Sequence, residues 1–450
     1  MGNGTYDDPQ KAKGNDKMKK NVLFVVLVVL ALFVGCAEPH THVFDKEVPS
    51  ERYLASEATE KEAAKYYKSC ACGEKGNETF SFGDPVSKWD GKLLTWESDY
   101  SVDADKGFLK NKGSLVESAN DSNCISNAKK FLAWFDSKFV AEGKIEIKDD
   151  VERKNSLNHR IAEVSVNSAD MLASLGLLQD YFAAKCIVLS ETSHSVINDY
   201  YYWATADCAA EISVVIDMDL NGSEHNWTPV VCPYPVDFKG HTVSNMKCVR
   251  PEVNNVALFA STGVSNLVLK NATVEGEEYV AGVTAGCRTS VDNVKVIDST
   301  VKGKKYVGGI VGQSYSNISD STVEDCVITG TDSSKEVGGI AGFHCQGTIS
   351  GCTVTGCSVK ATEEAGGIAG RVYNQSEHAI VVENNTVSKT KVGTLAGAAA
   401  ENFIGASNDY VGFVCGGNYL TGSDGNTYEG KPNSKANCSI VNNTVDGVKH

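Results

Sequence analysis

The dominant pattern in this chain is a repeated succession of short apolar runs, glycine pairs and polar turns, which begins near residue 256. Related segments recur at intervals of roughly 27 to 31 residues, and each is followed by a polar turn and a second apolar run. A period of this length is typical of one coil of a solenoid. The pattern therefore predicts a mainly β fold with a parallel β-solenoid over residues 256–450. The segments read VALFASTG, YVAGVTAG, YVGGIVG, EVGGIAG and EAGGIAG and start at Val256, Tyr279, Tyr306, Glu336 and Glu364.

Glycines occupy the same place in successive repeats, which indicates an architectural role. Stacked coils pair each strand with its counterpart about 4.8 Å away and bury one continuous apolar column. A glycine at a fixed point of each coil serves either a positive φ or a close approach of two backbones. A phosphate-binding loop is excluded, because such a loop occurs once and precedes a helix. The glycines concerned are Gly308, Gly309, Gly312, Gly338, Gly339, Gly342, Gly366, Gly367 and Gly370.

Alignment of the repeats also places two cysteines next to each other. Ala272, Ser299, Cys326 and Cys357 fall in one column. Residues of one column lie on adjacent coils, so Cys326 and Cys357 are expected to lie side by side. They could form a disulfide. The interpretation we favour is a column of small buried residues in which cysteine acts as a compact apolar side chain.

The residues before the repeats divide into four segments. Two helices are expected, one over 124–140 and one over Met171–Ala184 with Ser168 as its N-cap, because apolar residues recur there at helical spacing. Both apolar stripes are interpreted as packing surfaces. The predicted divisions are an extension with a signal peptide (1–35), a small Cys/His module (36–84), a spacer with a helical segment (85–164) and a leader or cap of the solenoid (165–255).

The beginning of the chain carries an export pattern. A cluster of lysines at 17–20 precedes an apolar run, Val22–Val34, and then Gly35 and Cys36. The run is shorter than the roughly 20 residues that a membrane span needs, which favours a signal peptide over an uncleaved anchor helix. We expect Met18 to be the true start. The ending LFVGC resembles the lipobox of bacterial lipoproteins, which implies lipidation of Cys36 and a membrane anchor in the envelope, at the outer membrane or cell surface.

The module over 36–84 contains possible metal ligands. His40, His42, Cys70 and Cys72 are of the types that bind zinc tetrahedrally. The alternatives are a Cys70–Cys72 disulfide or free thiols, because zinc knuckles prefer a Cys-x-x-Cys spacing. Residues 57–83 resemble a short module found in repeat-bearing bacterial surface proteins. Apart from this possible zinc site, no cofactor is expected.

Composition narrows the choice of partners. The formal net charge is −15, so a nucleic-acid partner is excluded, since nothing would neutralise a phosphate backbone. Glycine is abundant (42) and proline scarce (9), which suits many tight repeated turns. The 15 cysteines would meet oxidising conditions after export, but their number leaves the pairing open.

The segments YVGGIVG and EVGGIAG resemble the GLUG motif of bacterial surface proteins. The stretches at 215–220, 226–230 and 238–243 are similar to the leader that commonly precedes such repeats. This resemblance covers about half of the chain. It implies a right-handed parallel β-helix at the cell surface, and adhesion as the expected role.

An enzyme is the main alternative, because β-helices also include polysaccharide lyases and hydrolases. Asp298 and Asp325, with Asp320, are the candidate carboxylates, and their other interpretation is as solvated turn residues. Asp217 and Asp219 suggest at most a weak surface cation site, since no EF-hand glutamate follows. The sequence therefore predicts a protein that is not an enzyme and binds a glycan or host surface. A structural envelope role is the third alternative.

Overall fold

The computed structural model describes residues 41–94, 96, 122–154, 160–190, 209–374, 380–400, 402–404, 411–421, 427–429 and 438–449. They form two compact units. The described part of the first unit is 41–58 and 63–84, and the second comprises 59–62 and the residues from 85 onward.

The first unit is a small antiparallel sheet of three strands in sequence order. A 3₁₀ turn at Glu51–Tyr53 precedes the sheet and buries the ring of Tyr53, whose hydroxyl donates a hydrogen bond to the carbonyl of Gly73 (3.0 Å). Gly73 has a φ of +83°, which suits glycine in the tight turn between the second and third strands. The strands are Leu54–Ser56, Ala64–Ser69 and Lys75–Phe82.

The second unit is a β-solenoid with three sheets along its length, and the predicted fold class is confirmed. The first sheet contains Ile145–Lys154, Arg160–Val166, Ala209–Val214, Val236–Asp237, Val264–Ser265, Val291–Asp292, Ile318–Ser319, Gly347–Ser350, Ile380–Glu383 and Cys438–Val441. The second contains Val86–Lys88, Asp217–Asp219, Thr242–Ser244, Val268–Lys270, Lys295–Ile297, Thr322–Glu324, Thr353–Thr355, Thr386–Ser388, Thr444–Val445 and Val448–Lys449. 

The third sheet is the widest, because most coils contribute two or more strands to it. Its strands are Val230–Val231, Lys247–Val249, Phe259–Ser261, Thr273–Glu275, Glu278–Ala281, Thr284–Cys287, Thr300–Gly308, Val311–Ser314, Val327–Gly338, Ala341–His344, Ser358–Ala361, Ala365–Gly366, Ala369–Asn374, Lys391–Thr394, Asn402–Ile404, Val411–Thr421 and Thr427–Glu429.

Coil pairing is parallel and in register, and it follows from a simple alternation of side chains. In the second sheet Val296 pairs with Val323, Val323 with Val354, and Val354 with Val387. All four valines are buried, whereas their neighbours in each strand are half-buried. Alternate residues of a strand face opposite sides, so one valine per strand builds the interior column.

Residues with a positive φ mark two corners of each coil, and most of them are asparagine or aspartate. One corner holds Asn293, Asp320 and Asn384, and the other holds Asp298 and Asp325. Gly351 and Gly356 take the equivalent positions in the intervening coil, with φ values of +67°. These residue types tolerate the left-handed region best.

At several corners the following residue donates its backbone N–H to a side chain of the next coil. Ala272 donates to Ser299 Oγ (3.0 Å), Ser299 to Cys326 Sγ (3.4 Å), and Cys326 to Cys357 Sγ (3.4 Å). Cys357 in turn donates to Thr390 Oγ1 (3.3 Å). Polar or sulfur-bearing side chains at this column therefore satisfy amides that lie outside the strand ladders.

Helices lie in the second unit near the beginning of the solenoid. Helix α1 spans Ser122–Phe135 and continues as a π-helical turn, Asp136–Val140; α2 spans Ala169–Ala173 and α3 spans Leu177–Ser190. Ser168 is the N-cap of α2 and accepts a hydrogen bond from the Met171 amide, as expected. The helix expected over 171–184 is two helices, because the chain turns at 174–176.

Described residues between 85 and 166 contribute strands to the sheets of the solenoid. The strand Val86–Lys88 pairs with Asp217–Asp219 in the second sheet. The hairpin of Ile145–Lys154 and Arg160–Val166 extends the first sheet through a parallel pairing with Ala209–Val214. The parallel coils likewise begin before residue 256. The physical reason is that the first coil exposes an unpaired sheet edge and apolar interior, which these elements cover.

None of the helices that the structure describes is long and apolar enough to span a membrane.

Candidate functional site

Aromatic side chains form a column on the third sheet of the solenoid. The ring centroids of Tyr279 and Tyr306 are 4.9 Å apart, those of Tyr306 and Phe343 are 5.0 Å apart, and those of Phe343 and Tyr373 are 6.1 Å apart. The first two separations are close to the distance between neighbouring strands. Phe343 is buried, and the three tyrosines are half-buried. The column therefore contains one ring from each of four successive coils.

The repeat itself positions the first two rings. Tyr279 and Tyr306 directly precede the glycine-containing turn and have φ values of +58° and +53°. The same place in the next two coils is taken by Glu336 and Glu364, both at +60°. A positive φ is unusual for side chains of this size. The turn thus imposes the same backbone conformation on four residues and changes the side chain from tyrosine to glutamate along the sheet.

Both glutamates are buried beside one arginine. Glu336 is 1% exposed and Glu364 is 3% exposed. Arg371 Nη1 lies 2.8 Å from Glu336 Oε1, and Arg371 Nε lies 3.9 Å from Glu364 Oε1. The guanidinium also lies over the rings of Phe343 and Tyr373, at 5.6 and 5.2 Å from their centroids. We call these three charged residues and the four rings together the ladder face.

Burial changes the proton affinity of both carboxyl groups. Removal from water raises the pKa of Glu364 to about 7, and Arg371 only partly opposes this. Burial also raises the pKa of Glu336, although its bond to Arg371 acts in the opposite direction. Among the described residues, Glu336 Oε2 and Glu364 Oε2 have no hydrogen-bond partner. One arginine thus faces two buried carboxyl groups, and its single charge only partly offsets the effect of burial on the pKa of Glu364.

Hydrogen-bonding side chains adjoin the aromatic column. Gln313 is the register neighbour of Phe343, and its amide donates to Tyr315 Oη (2.9 Å). Arg288 lies over the ring of Tyr315, 5.5 Å from the centroid. Lys305 lies 4.4 Å from the centroid of the Tyr306 ring. The ladder face is therefore bordered by amide, phenol and cationic groups that can donate hydrogen bonds.

The predicted structural glycines lie at close approaches between coils. None of the nine has a positive φ, so the first of the two expected reasons does not apply. A Cβ on Gly309 would meet the carbonyl oxygen of Gly339, and a Cβ on Gly339 would meet that of Gly367. Gly312, Gly342 and Gly370 likewise face backbone atoms of neighbouring segments. Gly308, Gly338 and Gly366 face the carbonyl oxygens of Val311, Ala341 and Ala369.

The candidate carboxylates of the alternative enzyme lie at the corners of the coils. Asp298, Asp320 and Asp325 all have φ values between +47° and +51°. They end strands and begin turns, as the structural interpretation expects, and they lie at the two corner columns, not among the residues of the ladder face.

Asp217 and Asp219 are already hydrogen-bonded within the solenoid. Asp217 Oδ1 accepts from the amide of Thr242 (2.9 Å) and lies 3.0 Å from His241 Nδ1. Asp219 Oδ1 accepts from the amide of Asn221 (2.8 Å) at a polar cavity of about 560 Å³. Both carboxylates therefore accept hydrogen bonds from backbone amides, Asp217 at the start of the neighbouring strand and Asp219 in the turn after its own strand.

Cys326 and Cys357 lie on adjacent coils without a disulfide between them. Both are buried, and so are the six other free cysteines among the described side chains. Burial raises the pKa of Cys232 and Cys352 to about 12, so these thiols are neutral. Cys326 and Cys357 therefore pack in the interior of the solenoid, and Cys357 Sγ accepts a hydrogen bond from the Cys326 amide.

The first unit brings three of the four expected metal ligands together. His42 Nδ1 lies 3.3 Å from Cys70 Sγ and 3.4 Å from Cys72 Sγ. A disulfide joins Cys70 and Cys72. His40 and the expected lipidation site Cys36 lie outside the described residues.

Sequence reasoning missed the ladder face. The letters of the repeats contain Tyr279, Tyr306, Glu336 and Glu364, and their alignment shows a column that changes from tyrosine to glutamate. That change was the available signal. Phe343, Arg371 and Tyr373 occupy other positions of the repeat, so the alignment gives no signal for them. They lie beside the column only because of the number of residues in each coil.

Comparisons with known proteins add little to the fold. No family model matches the sequence. A search of curated proteins finds no match either. A solved structure from Bacteroides ovatus, named a "putative immunoglobulin A1 protease", aligns with 65% of this chain and 85% of its own, at 14% identity and a TM-score of 0.38. A similarity of this degree carries no argument about function, and the resemblance to GLUG proteins stays a prediction.

Proposed function

We propose that this protein binds an extended polymer, in the first place a neutral glycan, along the ladder face and does not cleave it. The single observation that carries this proposal is the aromatic column, which repeats at the strand spacing and is bordered by hydrogen-bond donors. Aromatic side chains combine apolar contact area with an electron-rich face, and tyrosine adds a hydroxyl group. These are the groups that the apolar and hydroxylated surfaces of a sugar ring require.

Repetition of the contacts supports a polymeric ligand over a small one. Four successive coils contribute one ring each, so successive units of a chain can each make a weak contact, and the sum of these contacts gives the affinity. The net charge of −15 favours a neutral polymer over an acidic one, because an anionic chain would be repelled. Cation–ring contacts at Lys305 and Arg371 hold the rings in place on the sheet.

The proposal includes presentation at the cell envelope. Lipidation of Cys36 after removal of the signal peptide would hold the chain at a membrane. This part rests on the sequence pattern alone, since Cys36 lies outside the described residues. Labelling of the expressed protein with an alkynyl fatty acid tests it: incorporation is expected in the native chain and not in Cys36→Ala.

Binding is tested by affinity electrophoresis in gels that contain mannan, xyloglucan, β-glucan or polygalacturonate. Retardation by at least one neutral polymer is expected, with loss of most of the effect in the double variant Tyr279→Ala, Tyr306→Ala. Tyr67→Ala, a half-buried tyrosine of the first unit, is the control and retains binding. Equal retardation of all three proteins would contradict a role for the ladder face, as would retardation by the acidic polymer alone.

A carbohydrate-active enzyme is the second candidate, and one specific observation favours it. Glu364 has a pKa of about 7 and lies in the same cluster as Glu336. A carboxyl group that titrates near neutrality can act as a general acid, and a second carboxylate is the usual companion in glycoside hydrolysis. New reducing ends or unsaturated products that are formed by the native protein and not by Glu364→Gln would establish this alternative.

A further inference from the structure

The first unit contains a group of side chains that the proposed binding function does not use. Among the residues that the structure describes, His42, Cys70 and Cys72 form the group of potential ligands whose donor atoms all lie within 4.8 Å of one another. Their donor set is one imidazole nitrogen and two sulfurs. Soft sulfur and imidazole ligands select zinc and related thiophilic ions over calcium or magnesium.

The two nitrogen-to-sulfur distances fit a tetrahedral ion, and reduction of the disulfide would free the two sulfurs to separate as ligands. Zinc binds nitrogen at about 2.0–2.1 Å and sulfur at about 2.3 Å, so nitrogen and sulfur ligands of one ion are about 3.6 Å apart. The distances from His42 Nδ1 to Cys70 Sγ and Cys72 Sγ are 3.3 and 3.4 Å. The imidazole thus already faces both sulfurs at nearly the separation that coordination requires.

The surrounding backbone holds the three residues in place. Lys46 and Ser69 exchange two backbone hydrogen bonds of 2.9 Å, which fix the His42 segment beside the end of the second strand. The turn that carries both cysteines is closed by hydrogen bonds from the Cys70 amide to Glu74 and from the Gly73 amide to Cys70. The His42 ring also stacks on Phe44, with centroids 5.8 Å apart.

The site is accessible and has room for another ligand. Cys70 is buried, whereas Cys72 and His42 are exposed. Three protein ligands with one position open to water are typical of zinc sites that exchange a ligand. The buried thiols of the solenoid differ in this respect, because they face its interior.

We propose that the reduced Cys70–Cys72 pair and His42 bind a thiophilic divalent ion of the zinc class, and that the disulfide is the metal-free form of the same site. A disulfide sulfur has no thiolate charge to donate, so the two states exclude each other. A phosphine converts one state to the other: it takes oxygen from water to become the phosphine oxide, and the disulfide gains two electrons and two protons. Metal binding then releases the thiol protons.

The test uses the full-length chain and cobalt(II) as the spectroscopic probe. After reduction by a phosphine, we expect one equivalent of cobalt to produce a thiolate-to-cobalt charge-transfer band that zinc then removes. The oxidised chain is expected to show no band. Cys72→Ser abolishes the band, and His42→Ala weakens cobalt binding at least about tenfold. His225→Ala, a half-buried histidine of the solenoid unit, leaves it unchanged.

Other outcomes would overturn the proposal. A band of equal strength in Cys72→Ser would show that cobalt binds to other cysteines. Equal cobalt binding by the oxidised chain would show that the disulfide and the bound metal do not exclude each other. Circular dichroism of each variant establishes that the fold is retained. The outcome is independent of the ladder face, because the polysaccharide assay can be run on the same reduced and oxidised samples.

Discussion

At the residue scale, cysteines in the column after the coil corners accept hydrogen bonds from backbone amides and also fill space. The corner residues have a positive φ, and at several corners the amide that follows donates a hydrogen bond to the side chain of the next coil. Serine, cysteine and threonine all serve as acceptors there. The sequence predicted the column of Ala272, Ser299, Cys326 and Cys357, but it predicted only small buried side chains and no acceptor.

Substitution of Cys357 separates the two roles. Cys357→Ala leaves the buried amide of Cys326 without its acceptor, which is expected to cost about 1–3 kcal/mol of unfolding free energy. Cys357→Ser restores an oxygen of the kind present at Ser299 and is expected to recover about half of this loss or more. Urea unfolding of the three proteins measures the difference. Equal stability of the alanine and serine variants would show that the thiol only fills space.

Glu364 makes stability depend on pH. Burial raises its folded-state pKa from 4.5 to about 7, so its contribution is fully present below about pH 4.5 and is lost as the pH rises through about 7. We expect the native protein to lose on the order of 3 kcal/mol over this interval from this group. Glu364→Gln should lack that part of the loss.

The control for this prediction is the neighbouring residue Glu363, which is half-buried and paired with Lys335 at 2.7 Å. Glu363→Gln should keep the native dependence on pH. Unfolding in urea near pH 5 and near pH 8 measures all three proteins. A native protein that is as stable near pH 8 as near pH 5, relative to Glu364→Gln, would contradict the burial of an ionisable carboxyl group.

At the scale of elements, the sequence predicted the strands and turns of the repeat. It did not predict the strands that pair with the first coils of the solenoid. Alternating valines and recurrent glycines predicted the parallel coils correctly. The hairpin over 145–166 was missed because its charged residues, such as the run KDDVERK, hide the alternation. The contribution of Val86–Lys88 to the second sheet depends on a pairing with residues about 130 positions later, which no local pattern reveals.

The glycine turns give the sharpest prediction at this scale. Gly339→Ala places a Cβ against the carbonyl oxygen of Gly367 and the side chain of Val354, so we expect a loss of about 2–4 kcal/mol. Gly286→Ala lies in a strand of the same sheet, and its Cβ would meet nothing closer than 3.9 Å. Thermal unfolding of both variants is the measurement. A Gly339→Ala protein as stable as Gly286→Ala would contradict the close approach of the coils.

For the whole molecule, the solenoid converts one short turn into an extended surface. The turn places Tyr279, Tyr306, Glu336 and Glu364 at equivalent points of successive coils. Arg371 then reaches Glu336 from 35 residues away because the lengths of the intervening coils bring it there. The repeat and the mainly β fold could therefore be predicted from the sequence. The ladder face could not, since it depends on which side chains the coil lengths bring together.

The most direct test of the account is the dependence of affinity on ligand length. Once one polysaccharide is retained by the native protein, its oligosaccharides from the disaccharide upward are titrated calorimetrically against the native chain and the double variant Tyr279→Ala, Tyr306→Ala. Binding along a repeated column predicts an affinity that rises with each added unit until the column is covered, and a shallower rise in the variant. An affinity that is the same for the shortest and longest oligosaccharides would contradict it.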